Sequence, residues 1–146
     1  MLQKDTEGTL HLIVMRGLPK SGKSTKAKDL ARLYGCPVVS RDAMRLAVHG
    51  TRFLEDLEGE VKEAAGLALK CLAFGGNDVI VVDECHPLKD RTVQWLTSLF
   101  DGYDKKVKLY WEEISTSRKV CIERALKDKQ EDLVPVINSM ADVMGL

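Results

Sequence analysis

Apolar positions along this chain fall into four short runs, separated by stretches in which they recur at three and four residues. The runs are His11-Leu12-Ile13-Val14-Met15, Pro37-Val38-Val39-Ser40, Val79-Ile80-Val81-Val82 and Val107 to Trp111. A short apolar run bounded by glycine, proline or charge reads as a strand, and the third run is the clearest of them. Between the runs the helical period takes over. Ala27, Leu30, Ala31 and Tyr34 predict a helix over Lys23–Tyr34. A second is expected from Arg41 to about Val48, broken by His49-Gly50-Thr51. The third runs from about Leu57 to Phe74 on Val61, Ala64, Ala65, Ala68, Leu69 and Leu72. Glu55, Asp56, Glu58, Glu60 and Glu63 read as its solvated start, where a helix N-terminus favours negative charge. Gly75-Gly76-Asn77 closes it. Helices over Pro87–Phe100 and from about Thr116 to Leu126 follow, and a last short one starts at Pro135. Strands alternating with helices predict an α/β domain, its parallel sheet covered on both faces.

The turn after the first run changes the picture from fold to chemistry. Gly17-Leu18-Pro19-Lys20-Ser21-Gly22-Lys23-Ser24, followed by Thr25, matches G-x-x-x-x-G-K-[ST] at every fixed position. It lies between a strand and a helix, as a phosphate-binding loop must. There the backbone N–H groups turn inward and the helix N-terminus adds partial positive charge. Lys23 is placed to reach the β- and γ-phosphates of a nucleoside triphosphate, and the Ser24 hydroxyl to bind Mg²⁺. ATP, or another such triphosphate, with Mg²⁺ is the expected ligand.

Composition narrows the class. A chain of 146 residues has room for one core, and we read residues 1–9 as a tail and 10–146 as one domain. Met1 to Gly8 lacks the apolar segment of a signal peptide and no run is long enough to span a bilayer, so an intracellular, cytoplasmic enzyme is expected. Cys36, Cys71, Cys85 and Cys121 are scattered without a C-x-x-C pair and suit buried thiols in a reducing compartment. Net charge is zero, yet residues 1–52 hold ten Lys/Arg against four Asp/Glu and residues 53–146 hold twelve against eighteen. The positive part contains the phosphate loop with Arg41, Arg45 and Arg52, which suits local capture of phosphates. Lys26, Lys28 and Arg32 read as the wet face of the first helix.

In a parallel sheet, ligands gather beyond the carboxyl ends of the strands. Gly17 to Ser24 follows the first strand, Arg41-Asp42 with Arg45 the second, and Asp83-Glu84 the third. A kinase also needs a base for the acceptor hydroxyl. Asp42 is the candidate, set against helix capping by Asp42 itself or by Ser40. Asp83 reads as the acid ending a Walker B strand, able to bind Mg²⁺ directly or through water. With Glu84 after it, the same strand fits an ATPase whose glutamate activates water. The run Lys127-Asp128-Lys129-Gln130-Glu131-Asp132 has the position of a mobile lid, with Lys127, Lys129 or Arg124 as its cation, or else of an exposed connection between helices.

Leu12 to Thr25, Ser40-Arg41-Asp42-Ala43-Met44-Arg45, Val79 to Arg91 and the tail around Val134-Pro135 resemble the kinase domain of phage-type 5′-polynucleotide kinases, from about Leu10 onward. The resemblance implies a P-loop kinase fold: a four-stranded parallel sheet, helices on both faces and a C-terminal helical lid region. It implies transfer of the γ-phosphate of ATP to 5′-hydroxyl ends of DNA or RNA, as in nucleic acid end repair. Lys23 and Ser24 would hold triphosphate and metal, and Asp42 would be the general base. Arg45 would contact the acceptor's adjacent phosphate, Asp83 would orient Arg45 by an ion pair, and Arg124 would belong to the lid. Two departures stand out: Ala43 where the family tends to carry a second acid, and Lys127-Asp128-Lys129 where it carries a further lid arginine. No phosphatase domain is expected. Two alternatives stay open: the same machinery acting on another hydroxyl (a hydroxymethylated DNA base or a small metabolite), or a nucleotide-dependent ATPase or switch.

Overall fold

The computed structural model describes residues 8–50, 53–83 and 86–146. The readings placed on the tail before Gly8, on Thr51 and Arg52, and on Glu84 and Cys85 lie outside the described residues. Four strands, β1 (Leu10–Arg16), β2 (Val38–Ser40), β3 (Val79–Asp83) and β4 (Val107–Glu113), form one parallel sheet in the order β2-β3-β1-β4. The two central strands are those with continuous apolar runs, buried on both faces. β4 alternates because it is an edge, with Lys108 exposed.

Successive residues of β1 point to opposite faces, and each face receives its own helices. Ile13 and Met15, with Val79 and Val81, pack on Ala27 of α1 (Lys23–Tyr34). Leu10, Leu12 and Val14, with Ile80 and Val82, pack on Ala65 and Leu69 of α3 (Glu58–Phe74) and Leu96 of α4 (Lys89–Leu99). α2 (Arg41–His49) buries no residue fully and rests on α3, with Met44 against the core. The C-terminal helices α5 (Arg118–Lys127) and α6 (Leu133–Met144) close a third cluster of Cys121, Ala125, Ile137 and Ala141. Its remaining buried member, Leu18, comes from the phosphate loop.

The element boundaries shift for local reasons. β1 and β4 run longer than their apolar cores because Met15 and Arg16 pair with Glu112 and Glu113. α4 begins at Lys89, since His86 Nδ1 accepts the Leu88 N–H and holds a turn ahead of it. α5 begins one residue after Ser117, whose hydroxyl accepts from the Val120 N–H. α6 starts at Leu133, earlier than Pro135; proline fits in the first turn, whose N–H groups have no intrahelical acceptor. The expectation of buried thiols holds for Cys121 but not for Cys71, which is exposed on α3.

Candidate phosphoryl-transfer site

The strand ends meet in register. Ser40 lies beside Asp83 and Val82 beside Val14, so the phosphate loop, the start of α2 and Asp83 share one end of the sheet. Gly22 caps α1 at φ 93, a conformation that favours glycine. No side chain caps this helix and no acid sits in its first turn, which suits an anion at its N-terminus. Gly17 is a close approach: a Cβ there would come within 2.8 Å of Ser21 Oγ and 3.1 Å of Ile114 Cβ. Lys20 also sits at positive φ (66°).

The Ser24 hydroxyl donates to Asp83 Oδ2 at 2.9 Å, and Lys23 Nζ lies 3.9 Å from Asp83 Oδ1. The Asp83 side chain is only 4% exposed, yet Oδ1 has no hydrogen-bond partner. A buried carboxylate oxygen left over beside a serine hydroxyl fits a Mg²⁺ ion or its water, the pairing of loop Ser and strand-end Asp used by P-loop nucleotide enzymes. Ser24 and Asp83 are therefore the residues that could hold the metal, and Lys23 with the α1 N-terminus those that could hold the phosphates. Among the described residues, no cluster of three or more His, Cys, Asp or Glu forms a separate metal centre.

At the second strand end, Ser40 rather than Asp42 caps α2, its hydroxyl accepting from the Ala43 N–H at 3.3 Å. Asp42 is thereby released from capping. Its Oδ1 accepts from Arg45 Nη1, its Oδ2 has no hydrogen-bond partner among the described residues, and its side chain is 69% exposed. Arg45 in turn is gripped by Glu58, with Nε at 2.9 Å and Nη2 at 2.6 Å from Oε1. Burial disfavours the Arg45 charge, but Glu58 and Asp42 outweigh it and raise the guanidinium's pKa. The ring of Phe53 lies 5.8 Å from the guanidinium carbon.

This arrangement corrects two expectations. Arg45 does not pair with Asp83; Glu58 takes the fork of its guanidinium, and Asp83 is engaged by Ser24 and Lys23. Glu58, read with its neighbours as a solvated helix start, is instead the half-buried strut between α3 and α2. The others of that group, Glu55, Asp56, Glu60 and Glu63, are exposed. Nothing in the local pattern distinguishes Glu58 from them; only the docking of α2 against α3 selects it. Glu58→Ala should leave Arg45 partly buried without its main partner, at a cost of about 1–3 kcal/mol after allowing for solvent. Expected is a tenfold or greater fall in transfer with nucleotide affinity within about twofold of wild type, checked by steady-state kinetics beside a nucleotide titration.

The segment after α5 is a hydrogen-bonded turn. The Gln130 N–H donates to the Ala125 carbonyl at 2.8 Å, and Lys129 takes positive φ (57°). The turn is fastened to the phosphate loop: Lys20 Nζ meets Asp128 at 2.9 Å, and Arg124 Nη1 donates to the Lys20 carbonyl at 3.0 Å. Thr116 Oγ1 adds a bond to the Ser21 carbonyl at 2.8 Å. Arg124 thus reaches the loop, while Lys127, the last residue of α5, and Lys129, in the turn, are exposed. Arg41 opens α2 at the edge of a cavity described below.

Residues 12–137 match the AAA domain family AAA_33. The chain belongs to this family. Its α/β architecture of four parallel strands is the P-loop kinase fold. A shikimate kinase from Acinetobacter baumannii, in complex with shikimate, superposes at a TM-score of 0.56 with 14% identity, over 94% of this chain and 79% of that one. A chain of the Pnkp1/Rnl/Hen1 RNA repair complex superposes at 0.62 with 17% identity, over 95% of this chain and 48% of that one. In sequence, the chain is 32% identical over 136 residues to the 2′,3′-cyclic-nucleotide 3′-phosphodiesterase of Rattus norvegicus. It spans 88% of this chain but only 30% of that protein. No helix among the described residues is long and apolar enough to cross a membrane.

Proposed function

We propose that this chain is an ATP- and Mg²⁺-dependent kinase that transfers the γ-phosphate to a 5′-hydroxyl end of DNA or RNA. The observation that carries the reading is Asp42: a carboxylate freed from capping and steered by the Arg45–Glu58 pair, two residues after Ser40, which lies in register with Asp83. One Asp42 oxygen is held by Arg45 and the other is left to accept the acceptor proton. As that proton moves to Asp42, the hydroxyl oxygen bonds to the γ-phosphorus and the bond to the β,γ-bridging oxygen breaks. Lys23 and the α1 N-terminus face the charge that develops on the departing diphosphate. Mg²⁺, held by Ser24 and Asp83, supplies further neutralisation of the β- and γ-phosphates when bound. In this reading Arg45 would meet the acceptor phosphate next to the 5′ hydroxyl, and Arg124 would belong to a segment that closes on the donor.

The polynucleotide acceptor rests on the Ser40 to Arg45 stretch resembling phage-type polynucleotide kinases, and the likeness to an RNA repair chain is in keeping with it. The likeness to a shikimate kinase keeps a small hydroxyl acceptor as the second reading. The phosphodiesterase activity in the rat relative's name is that of a protein of which this chain spans 30%. The deciding measurement is transfer of labelled γ-phosphate to 5′-hydroxyl oligonucleotides, internal hydroxymethyluracil DNA, nucleosides and shikimate in parallel. Label on the 5′ ends alone is expected. Label on a small hydroxyl alone would replace the acceptor, and hydrolysis unaffected by any acceptor would replace the reaction class.

A further inference from the structure

Two cavities border the seam between α3 and α4, and they share walls. One, of about 390 Å³, opens beyond the ends of β2 and β3 and is lined by Arg41, Lys62, His86, Arg91 and Trp95 among others. The other, of about 320 Å³, continues along the helices between Lys62, Lys70, Trp95 and Leu99. Lys62 and Trp95 border both, which makes a single groove. Gly66 lies in its wall, where a Cβ would come within 3.0 Å of Leu99 Cδ1 and 3.7 Å of Trp95 Cζ2.

Among the described residues that line this groove, Arg41, Lys62, Arg91 and Lys70 carry positive charge and Glu63 negative. Burial, and beyond it the charges of Arg91, Arg41 and Lys62, hold the His86 imidazole below its ordinary pKa. Lys62 and Lys70 lie eight residues apart on α3, about 12 Å along its axis, so the positive charge extends as a track. The track begins at Arg41, the residue before Asp42. A row of cations beside a partly buried tryptophan is the chemistry that follows a single-stranded backbone while stacking its bases.

We propose that this groove carries the acceptor strand. Nucleotides downstream of the 5′ end lie between α3 and α4, their phosphates on Arg41, Arg91, Lys62 and Lys70 and a base against Trp95. The assignment of direction rests on the 5′-end reading above; the binding of a single strand does not.

The test is fluorescence anisotropy with 3′-labelled 5′-hydroxyl decamers, one of thymidylate and one of uridylate, over a range of salt. Wild type is compared with Lys62→Glu/Arg91→Glu and with a charge-matched control on the far helix face, Lys28→Glu/Arg32→Glu. Wild type should bind with a logarithmic salt slope of about −0.7 for each phosphate engaged. The groove variant should bind at least tenfold more weakly with a shallower slope, and the control within twofold of wild type. In a Trp111→Phe background Trp95 is the one tryptophan left, and its emission should be quenched on saturation. Thermal melts and a fluorescent-ATP titration verify that each variant is folded with its phosphate loop intact. No binding by wild type, equal losses in both charge variants, or unchanged Trp95 emission would each overturn the groove. Groove-dependent binding without transfer to 5′ ends would sink only the kinase reading; 5′ transfer indifferent to both charge variants would sink only the groove.

Discussion

Asp42→Ala is expected to lower phosphoryl transfer by about 10²- to 10⁴-fold, the usual contribution of a positioned general base. ATP affinity should stay near that of wild type. The reason lies in how the two ends of the site are built. Donor-side groups sit on the phosphate loop and β3; Asp42 sits on a helix that buries no residue fully and follows the adjacent strand end. Its capping duty is carried by Ser40, so alanine should leave α2 intact. Asp42→Asn is the sharper variant because it keeps the side chain's shape and an oxygen for Arg45 while removing the basicity. A single-turnover measurement with saturating ATP isolates the chemical step. Near-normal turnover in the asparagine variant would falsify the role of Asp42 as base.

The second large effect concerns stability. Leu18, at a variable position of the phosphate-loop motif, is only 1% exposed and fills the cluster of Cys121, Ala125, Ile137 and Ala141. Leu18→Ala should destabilise the fold by roughly 2–5 kcal/mol through lost burial and the cavity left behind. For a chain of this size that lowers the melting temperature by roughly 5–20 °C. Leu18→Met, which nearly conserves volume, should cost less than about 1.5 kcal/mol. The two variants separate packing from any role of the backbone at this position. Because Leu18 joins the loop to α5 and α6, the alanine variant should also loosen the contacts that fasten Lys20 to Asp128 and Arg124. Calorimetry and ATP titration at a temperature where both variants are folded would test this. Equal melting temperatures for wild type and Leu18→Ala would refute Leu18 as the anchor.

Leu18 and Glu58 mark where sequence reasoning runs out. Within the motif, Leu18 is a free position, and nothing local says that it is the hydrophobic pin of a helical pair more than a hundred residues later. Glu58 stands in an acidic stretch whose other described members are solvated, and its partner Arg45 lies on another helix. Asp83 shows the converse. Its place at a strand end was readable, but its partners, Ser24 and Lys23 rather than Arg45, depend on how β3 seats against the phosphate loop. The groove between α3 and α4 was unreadable for the same reason: Lys62, Lys70, Arg91 and Arg41 come from three helices, and a helical period reports only the face each turns to the core.

What the sequence determined alone is whatever rests on local stereochemistry and period. Continuous apolar runs demanded strands covered on both faces, helical spacing set which faces of α1 and α3 are buried, and the glycines of the phosphate loop specified a turn few other residues allow. What the tertiary structure decided is which charges meet. Ion pairs form between side chains whose distance along the chain carries no information about their separation in space. The sheet order β2-β3-β1-β4 brings Ser40 beside Asp83, and the seating of α2 on α3 gives Arg45 to Glu58 and leaves Asp42 available.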